Sequence, residues 1–244
     1  MSAKIKIVSI NVELNKHIDR VTAFLHEEKP DVVCLQEVSE YDVSYFKTLL
    51  GMEGHYEPMV RIASSRPYRT LGSGAVGLAL FCRFPASFSA QYYVGSKESI
   101  PVESEDNQSI NGVLVTATCM VDGNEYVIGT THFTWTPDGE ASDAQRRNIE
   151  SLFSALGTSP HLVFCGDFNA PRGKEIWGKI TQRYRDNIPT QYTSSIDPVL
   201  HRATGLKFVV DGLFSTPAYS VTDVRLVEGI SDHKAIVGFI EKRG

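Results

Sequence analysis

The order of apolar segments along the chain constrains its fold more than any other feature of the sequence. Apolar, strand-like runs at residues 5–10 and 31–36 alternate with amphipathic stretches at 16–29 and 41–50, whose spacing is that of helices. Pro30 ends the first of these stretches, because proline cannot continue a helix. The opening of the chain therefore predicts a β-α-β-α arrangement.

Strand-like runs dominate the rest of the chain, and Asp122-Gly123-Asn124 is a hairpin signal that predicts antiparallel pairing of the runs on either side. Helices that separate apolar strands, together with hairpins, are typical of stacked sheets covered by helices. We therefore predict the α/β class, as a four-layer α/β/β/α sandwich of two mixed, mainly antiparallel sheets flanked by helices. The further strands are expected at residues 75–83, 88–94, 110–121, 125–132, 161–166, 207–215, 219–227 and 234–241, and the further helices at 142–156 and 175–182.

The composition suits one folded unit. With 244 residues, 42% of them hydrophobic, and no linker, repeat or low-complexity block, residues 1–244 are expected to form a single domain. Cys34, Cys82, Cys119 and Cys165 each lie in an apolar run without the close Cys/His spacing of a zinc site. Free buried thiols are therefore favoured, and disulfides are the alternative.

The ends and the charge of the chain bear on where it acts and on what. No apolar run approaches the roughly 18 residues of a membrane span, and residues 1–8 read as a short strand rather than a leader. We expect a cytoplasmic protein without a membrane span, and no obligate protein partner is evident. The net charge of −5 lacks the basic surface expected of a nucleic-acid-binding protein. That weakens a nucleic-acid substrate without excluding it, since a local basic rim is enough to hold a phosphate.

Polar side chains lie in or directly after many of the apolar runs. Gathered at one edge of the sheets, such carboxylates, amides and imidazoles would form an oxygen-rich pocket suited to Mg²⁺ or Mn²⁺. Hydrolysis of a phosphodiester needs such a pocket, because the anionic phosphate must be neutralised and a water activated. The residues concerned are Asn11, Glu37, His132, Asp167, Asn169, Asp211, Asp232 and His233.

The order of these residues resembles that of the endonuclease/exonuclease/phosphatase superfamily. Its members include DNase I, abasic-site nucleases, tyrosyl-DNA phosphodiesterases, deadenylases, neutral sphingomyelinases and inositol polyphosphate phosphatases. The resemblance covers nearly the whole chain, and each piece is weak alone while their order is specific. The matching pieces are Ser9-Ile10-Asn11, Leu35-Gln36-Glu37, residues 77–85, Thr131-His132-Phe133, Gly166-Asp167-Phe168-Asn169, residues 210–214 and Ser231-Asp232-His233.

The resemblance implies a role for each of these polar residues. Glu37 is expected to be the principal metal ligand. Asn11 is placed beside it in the metal site, orienting metal-bound water or a phosphate oxygen, and Asp232 is a further carboxylate near the metal. Asp167 is expected to position or deprotonate the attacking water, and Asn169 to donate to a phosphate oxygen. In an extended strand, the one-residue spacing of Asp167 and Asn169 points both side chains to the same side.

Three further residues complete the implied catalytic set. By the same resemblance, Asp211 orients the imidazole of His233, which contacts the phosphate and stabilises its developing charge. His132 is similar to the histidine of the DNase I, sphingomyelinase and tyrosyl-DNA phosphodiesterase branches, and abasic-site repair is ranked lower for that reason. Glu13 stands where some members have an aspartate; strand geometry would point it to the same side as Asn11, and a solvent-exposed glutamate is the alternative.

Substrate choice is expected to come from the loops. Arg66, Tyr68 and Arg69 could clamp phosphates and stack a base or sugar, or form a solvated basic loop. Arg146 follows His132 at the start of a helix, where the resemblance implies an arginine near the substrate; an ordinary helix-surface arginine is the alternative. The segment 187–202, which includes Tyr192, is expected to form one wall of the pocket. Trp135 and Trp177 are possible stacking platforms, although burial is favoured for both.

These observations support a phosphoesterase that uses Mg²⁺ or Mn²⁺ and attacks phosphorus with an activated water. A phosphodiester in nucleic acid, or a nucleic-acid end adduct, is the leading substrate class. The first alternative is a phosphodiesterase or phosphatase that acts on a lipid headgroup or a small phosphorylated metabolite. The second is a non-catalytic scaffold built on the same fold.

Overall fold

Two six-stranded sheets make up most of the protein. The computed structural model describes residues 3–62, 74–103 and 110–243. The strands there are β1 (Lys4–Asn11), β2 (Val32–Ser39), β3 (Glu53–Ile62), β4 (Gly74–Cys82), β5 (Ala86–Val94), β6 (Gly112–Val121), β7 (Asn124–His132), β8 (Val163–Asp167), β9 (Arg185–Asp186), β10 (Asp211–Ser215), β11 (Tyr219–Val227) and β12 (Ala235–Lys242). The helices are α1 (Ile18–Glu28), α2 (Val43–Leu50), α3 (Asp143–Leu156) and α4 (Glu175–Thr181).

Each sheet combines one parallel pair of strands with antiparallel neighbours. The first sheet has the order β11-β12-β1-β2-β4-β3, and the second has the order β5-β6-β7-β8-β10-β9. The parallel pairs are β1 with β2 in the first sheet and β7 with β8 in the second. The predicted pair of mixed, mainly antiparallel sheets is therefore confirmed.

The inner faces of the two sheets pack against each other, and the helices cover the outer faces. Helix α1 buries Val21, Phe24 and Leu25, whose spacing of three and four residues forms one apolar stripe. Burial of each such side chain contributes about 1.5–3 kcal/mol. Helix α3 covers the second sheet, and its N-terminus is capped by the Ser142 side chain, which accepts from the Gln145 N–H. This arrangement confirms the α/β sandwich.

Three elements differ from the sequence prediction. One is the two-residue strand β9 (Arg185–Asp186), where no strand was predicted. Strand β3 (Glu53–Ile62) was not predicted, because Gly54 and Pro58 interrupt its apolar pattern; both are tolerated since β3 is an edge strand of the first sheet. The strand expected at 207–215 begins only at Asp211. The carbonyl groups of Val209 and Val210 accept from loop N–H groups instead of a neighbouring strand.

The four cysteines agree with the sequence prediction. Cys34, Cys82, Cys119 and Cys165 are all buried free thiols. Among the described residues, no helix is long and apolar enough to cross a membrane.

A partly buried carboxylate joins helix α1 to the first sheet and allows a stability prediction. The Glu28 side chain, 13% exposed, pairs with Lys6 of β1 and Arg225 of β11, with each N–O distance at 2.5 Å. Burial would raise the pKa of Glu28, but the bonds to Lys6 and Arg225 outweigh it and lower the pKa. Glu28→Gln should therefore reduce the free energy of unfolding by about 1 kcal/mol at pH 7.

The effect of Glu28 on stability should depend on pH. Because its folded-state pKa lies below its unfolded value, the contribution is present at neutral pH and is lost as the pH falls below about 4. Urea unfolding of the wild type and Glu28→Gln at pH 7 and at low pH measures this. The exposed neighbour Glu27→Gln is the matched control. A difference between wild type and Glu28→Gln that stays constant across this range would contradict the assignment.

Candidate active site

The carboxyl ends of the two parallel strand pairs meet at one edge of the sandwich. Asn11 ends β1, and His132 and Asp167 end β7 and β8, where they lie directly opposite each other. The antiparallel strand β10 begins at Asp211, opposite Asp167. Strand ends from both sheets therefore bring chemically active side chains to the same edge.

A single amide group links the two sheets at this edge. Asn11 Nδ2 lies 3.0 Å from Glu37 Oε1, which belongs to the first sheet, and 3.2 Å from Asp167 Oδ2, which belongs to the second. Asn11 Oδ1 accepts from the Glu13 N–H at 3.1 Å. Asn11 is buried, and its bonds favour a role in positioning the two carboxylates over the predicted role as a metal ligand.

The position of Glu37 depends on an irregularity in β2. The register with β4 shifts between Leu35 and Val38, and Glu37 has a left-handed backbone with φ 57°. Such a bulge re-aims a side chain, and a non-glycine residue in this region carries backbone strain. Strand β2 therefore continues past its predicted end at Gln36, and the bulge turns Glu37 into the cavity at the sheet edge.

Asp167 and Asn169 meet by a turn, not by extended geometry. Gly166 precedes them, and a Cβ there would lie 1.9 Å from the Thr131 carbonyl oxygen, so only glycine allows β8 this close to β7. Strand β8 ends at Asp167, and Asn169 has φ 49°. Asp167 Oδ1 accepts from the Asn169 N–H at 2.8 Å. The prediction that strand alternation aligns the two side chains is therefore wrong, although both line the same cavity.

His132 stands between Asn169 and the carboxylates. Its Nε2 lies 3.1 Å from Asn169 Nδ2, 3.4 Å from Asp167 Oδ2 and 3.8 Å from Glu37 Oε1. Asn169 Nδ2 also donates to the Phe133 carbonyl oxygen at 3.0 Å, which fixes the amide. The imidazole of His132 is therefore held with its Nε2 facing both carboxylates.

His233 and Asp211 form the expected hydrogen-bonded pair. His233 Nδ1 lies 2.8 Å from Asp211 Oδ2, and His233 Nε2 lies 3.7 Å from Asp167 Oδ2. Ser195 supports the pair, because its hydroxyl oxygen accepts from the Asp211 N–H at 3.0 Å and its carbonyl oxygen accepts from the Lys234 N–H at 2.7 Å. Nothing in the sequence distinguishes Ser195 from other serines of its loop, so this supporting role was not predicted.

Mutual attraction between these groups sets their charges. Burial would raise the pKa of Asp167, but the attraction of His233 and the hydrogen bond of His132 lower it to about 2. Burial would lower the pKa of His233, but the attraction of Asp211 and Asp167 raises it well above its usual value. The pKa of His132 is also raised, because its bond to Asp167 outweighs burial. Asp167 and the two imidazoles therefore favour each other's charged forms.

The pKa values of Asp232 and Asp211 are raised, whereas that of Asp167 is lowered. Burial, reinforced by the nearby charges of Glu37 and Glu13, raises the pKa of Asp232 to about 7 against the opposing attraction of His233. Burial also raises the pKa of Asp211, although His233 partly offsets it. Crowded carboxylates such as these are stabilised when a cation binds beside them, because its charge favours the ionised forms.

The oxygen-rich donor set fits a divalent cation. Ligand atoms of Asp167, Asp211 and His233 all lie within 4.8 Å of one another. In that group, however, the His233–Asp211 bond already occupies one atom of each residue. Glu37 and Asp232 face the cavity beside Asp167, so hard oxygen donors from three carboxylates are available there. This chemistry suits Mg²⁺ or Mn²⁺ better than a softer metal.

A cavity of about 560 Å³ opens over these groups. Six of the predicted residues line it: Glu37, His132, Asp167, Asn169, Asp232 and His233. Asn11 and Asp211 lie behind them as buried supports. Apolar side chains, among them Leu14, Val76 and Phe208, line much of the remainder. The sequence did not distinguish these apolar lining residues from ordinary core residues.

Glu13 also reaches the cavity, but not by strand alternation. Strand β1 ends at Asn11, and Glu13 adopts a left-handed turn with φ 47°. Its carboxylate pairs with Lys16 at 2.9 Å and lies 3.1 Å from His17 Nε2. The prediction from strand geometry is therefore wrong, and an ion-paired turn explains the position of this side chain.

None of the five residues predicted to bind substrate is found among the described residues that line the cavity. Arg66, Tyr68 and Arg69 lie outside the described residues. Arg146 does not line the cavity; its guanidinium pairs with Glu175 and Asp143 on the outer surface, each at 2.9 Å. Tyr192 is partly buried and packs against the hydrophobic core instead. The structure therefore does not bring Arg146 or Tyr192 to the site, since surface ion pairing and core packing occupy them.

The segment 187–202 and the two tryptophans divide between core and cavity. From that segment, Ile196, His201 and Arg202 line the cavity. Trp177 is buried, as favoured from the sequence, and its Nε1 donates to Asp186. Trp135 is 39% exposed and lines the cavity, so the burial favoured for it is wrong. Its place in the loop after β7, and not in a strand or helix, accounts for the difference.

Comparison with known proteins is consistent with this site. The model of the Endonuclease/Exonuclease/phosphatase family matches residues 8–233. No curated protein matches the chain in sequence. Three solved structures share the fold of this chain. The catalytic domain of human Nocturnin with bound sulfate has a TM-score of 0.68 at 17% identity and covers 100% of this chain and 97% of its own. The mannosyl-6-phosphatase Bt3783 of Bacteroides thetaiotaomicron VPI-5482 has a TM-score of 0.65 at 12% identity, covering 97% and 99%. A humanized D. rerio TDP2 has a TM-score of 0.63 at 17% identity, covering 98% and 99%.

Proposed function

Because the chain belongs to the endonuclease/exonuclease/phosphatase family, we propose that it is a divalent-metal-dependent phosphodiesterase in which water attacks phosphorus. One observation supports this most strongly. The carboxylates of Glu37 and Asp167 come from different sheets to the same amide of Asn11, beside the His233–Asp211 pair. Hydrolysis of a phosphate ester needs this combination of anionic metal donors and cationic hydrogen-bond donors.

Glu37, Asp232 and Asp167 are proposed to hold the Mg²⁺ or Mn²⁺ ion. A bound divalent cation supplies positive charge that neutralises phosphate oxygens and polarises the phosphorus centre. Asn11 would keep Glu37 and Asp167 close together in the absence of the ion, because its Nδ2 contacts both carboxylates.

Side chains of the protein orient the attacking water and stabilise the charge on the phosphate. Asp167 accepts a hydrogen bond from the attacking water and aligns it with phosphorus; because the pKa of Asp167 is about 2, the proton of that water passes on to solvent as the new phosphorus–oxygen bond forms. The leaving oxygen departs with the electrons of the bond that breaks. His233, with Nδ1 bonded to Asp211, directs Nε2 toward Asp167 and donates to a phosphate oxygen. His132 and Asn169 contact Asp167 and add polar groups to the same cavity.

A nucleic-acid end, or an adduct on such an end, is the proposed substrate. Trp135 supports this, because an exposed indole on the cavity wall close to His132 in sequence offers a stacking platform for a base. Arg202 adds a cation on the same cavity wall. The Nocturnin domain was solved with a bound sulfate anion, which supports oxyanion binding by this fold.

Trp135→Ala should raise KM for an oligonucleotide or dinucleotide substrate about tenfold, while kcat changes less than about twofold, because stacking on an aromatic side chain contributes about 1–3 kcal/mol per base. Steady-state kinetics measure both constants. Trp135→Phe keeps an aromatic face and should restore most of the affinity. An unchanged KM in Trp135→Ala would remove the stacking role.

A small phosphorylated metabolite or a lipid headgroup is the second candidate substrate class. The net charge of −5 favours it. Among the described residues, the cations that line the cavity are Lys16, which is paired with Glu13, and Arg202. A long polyanion needs more phosphate contacts than these provide. The resemblance of fold to a mannosyl-6-phosphatase is consistent with this alternative.

A substrate panel tests the proposal and separates the two candidates. Purified protein with Mg²⁺ or Mn²⁺ is assayed against single- and double-stranded DNA, RNA, abasic DNA, tyrosyl-DNA adducts, sphingomyelin, sugar phosphates and inositol phosphates. We expect hydrolysis of a nucleic-acid end, with an affinity that falls steeply as salt rises. Turnover confined to a small phosphate ester or lipid would select the second candidate, and turnover of none would remove the enzyme proposal.

A further inference from the structure

His201 adds a third imidazole to the cavity that His132 and His233 line. It lies in the loop before β10, outside the pieces of sequence that resemble the family. The ring centroids of His201 and His233 are 6.2 Å apart, and the rings meet edge to face at 71°. Because His233 Nε2 lies 3.7 Å from Asp167 Oδ2, His201 stands next to the groups proposed to handle the phosphate.

The backbone of Ala203 occupies one nitrogen of His201. Nδ1 lies 3.1 Å from the Ala203 amide nitrogen and 3.2 Å from its carbonyl oxygen. The shorter of these contacts is to the Ala203 N–H, which can only donate, so we assign Nδ1 as its acceptor and the proton of the neutral ring to Nε2; this tautomer is part of the proposal that follows. Among residues 3–62, 74–103 and 110–243, His201 Nε2 has no hydrogen-bond partner in the protein.

The loop that carries His201 is tied to the loop that carries Asp232 and His233. Asp197 Oδ1 accepts from the Val199 and Leu200 N–H groups at 2.9 Å each, which forms the turn before His201. Asp197 Oδ2 accepts from the Gly229 N–H at 2.7 Å, and the Asp197 N–H donates to the Asp232 carbonyl oxygen at 2.8 Å. Asp197 is itself buried. These bonds set the position of His201 relative to His233 before any substrate arrives.

We propose that His201 is a further catalytic residue whose Nε2–H donates a hydrogen bond to a non-bridging oxygen of the scissile phosphate. This inference rests on the proposed phosphodiesterase function. A neutral imidazole with a backbone-fixed tautomer is a donor that can stabilise charge developing on oxygen without transferring a proton. It complements His233, whose orientation depends on a carboxylate rather than on the backbone.

Two substitutions separate the donor from the shape of the ring. His201→Phe keeps an aromatic ring but removes the donor, and should lower kcat/KM about tenfold to a hundredfold. His201→Gln places an amide N–H near the position of Nε2 and should recover at least part of that loss. His26→Gln, on the exposed side of helix α1, is the matched control and should leave kinetics unchanged. Equal rates for wild type and His201→Phe would overturn the proposal.

A binding measurement tests the contact without turnover. Protein labelled with ¹⁵N-histidine is titrated with inorganic phosphate, and the His201 side-chain resonances are followed by NMR. We expect a saturable shift at Nε2 in the wild type, and weaker phosphate binding by about fivefold or more in His201→Phe. An unmoved His201 resonance, or equal phosphate affinity in wild type and His201→Phe, would overturn the inference.

Failure of this inference and failure of the proposed function give different results. If the wild type hydrolyses no phosphate ester but His201 still responds to phosphate, the phosphodiesterase assignment fails and the contact stands. If the wild type is active while His201 neither responds nor affects kcat/KM, the contact fails alone. The resonance of the wild-type protein remains informative even if His201→Phe does not fold.

Discussion

His233→Ala is expected to lower kcat by about 10² to 10⁴ while the protein stays folded. The imidazole is buried between Asp211 and Asp167, and its removal takes away the group proposed to stabilise charge on the phosphate. KM should change much less, because the interaction is strongest in the transition state. Steady-state kinetics on the best substrate of the panel, with circular dichroism to monitor the fold, measure the effect.

The partner residue provides the control for this prediction. Asp211→Asn leaves His233 in place but removes the carboxylate that orients it, so kcat should also fall. Because the two residues act as a unit, the double variant should be little worse than His233→Ala alone. Losses that multiply in the double variant, or near-native turnover in His233→Ala, would show that the pair does not work as described.

Glu37→Gln is expected to lower kcat by about 10² or more at ordinary Mg²⁺ concentration. The substitution keeps the shape of the side chain but removes the charge proposed to hold the cation. High Mg²⁺ or Mn²⁺ should restore part of the rate, and calorimetry with Mn²⁺ alone should show a higher Kd than for the wild type. Full activity of Glu37→Gln in chelator-treated buffer would remove the metal assignment.

An exposed glutamate controls for a general effect of charge removal. Glu27→Gln on helix α1 deletes the same charge at an exposed position that does not line the cavity. Its kcat and its Mn²⁺ affinity should match those of the wild type. A similar loss in Glu27→Gln would mean that the net charge, and not the position of Glu37, governs activity.

The sequence was sufficient to predict the fold and most of the residues that gather at the site. Each polar residue follows an apolar run, and the carboxyl ends of parallel neighbours share an edge, so Asn11, His132 and Asp167 were bound to come close once the sheets formed. Asn11 lies on one sheet and His132 and Asp167 on the other, but the three residues still come together because the two sheets pack face to face.

What could not be predicted depends on local backbone and long-range packing. The bulge at Glu37 and the left-handed turn at Asn169 arise from cross-strand register, which local periodicity does not report. Ser195 supports Asp211 across 16 positions of chain, and no pattern marks it. Arg146 suited a substrate role by its place after His132, but ion pairing with Glu175 and Asp143 holds it outside.

The cavity wall shows the same limit. Trp135 and Trp177 are equally apolar in sequence, yet one lines the cavity and the other is buried beside Phe168 and Phe214. The difference arises because Trp135 lies in the loop after β7, whereas Trp177 lies within helix α4 and packs into the core. Leu14 and Phe208 likewise look like core residues until the loops that carry them are placed around the catalytic groups.

Hydrolysis of a simple phosphodiester by metal-free protein tests the central claim most directly. The protein is stripped with a chelator, exchanged into chelator-treated buffer, and assayed on bis(p-nitrophenyl) phosphate before and after Mg²⁺ or Mn²⁺ is added back. We predict no turnover without metal and a saturable return of activity with it; in the Glu37→Gln variant the return should be much smaller at the same metal concentrations. An undiminished rate in the metal-free protein, or no rate with either metal on any phosphate ester, would contradict the convergence of Glu37, Asp167 and Asp232 on one cation.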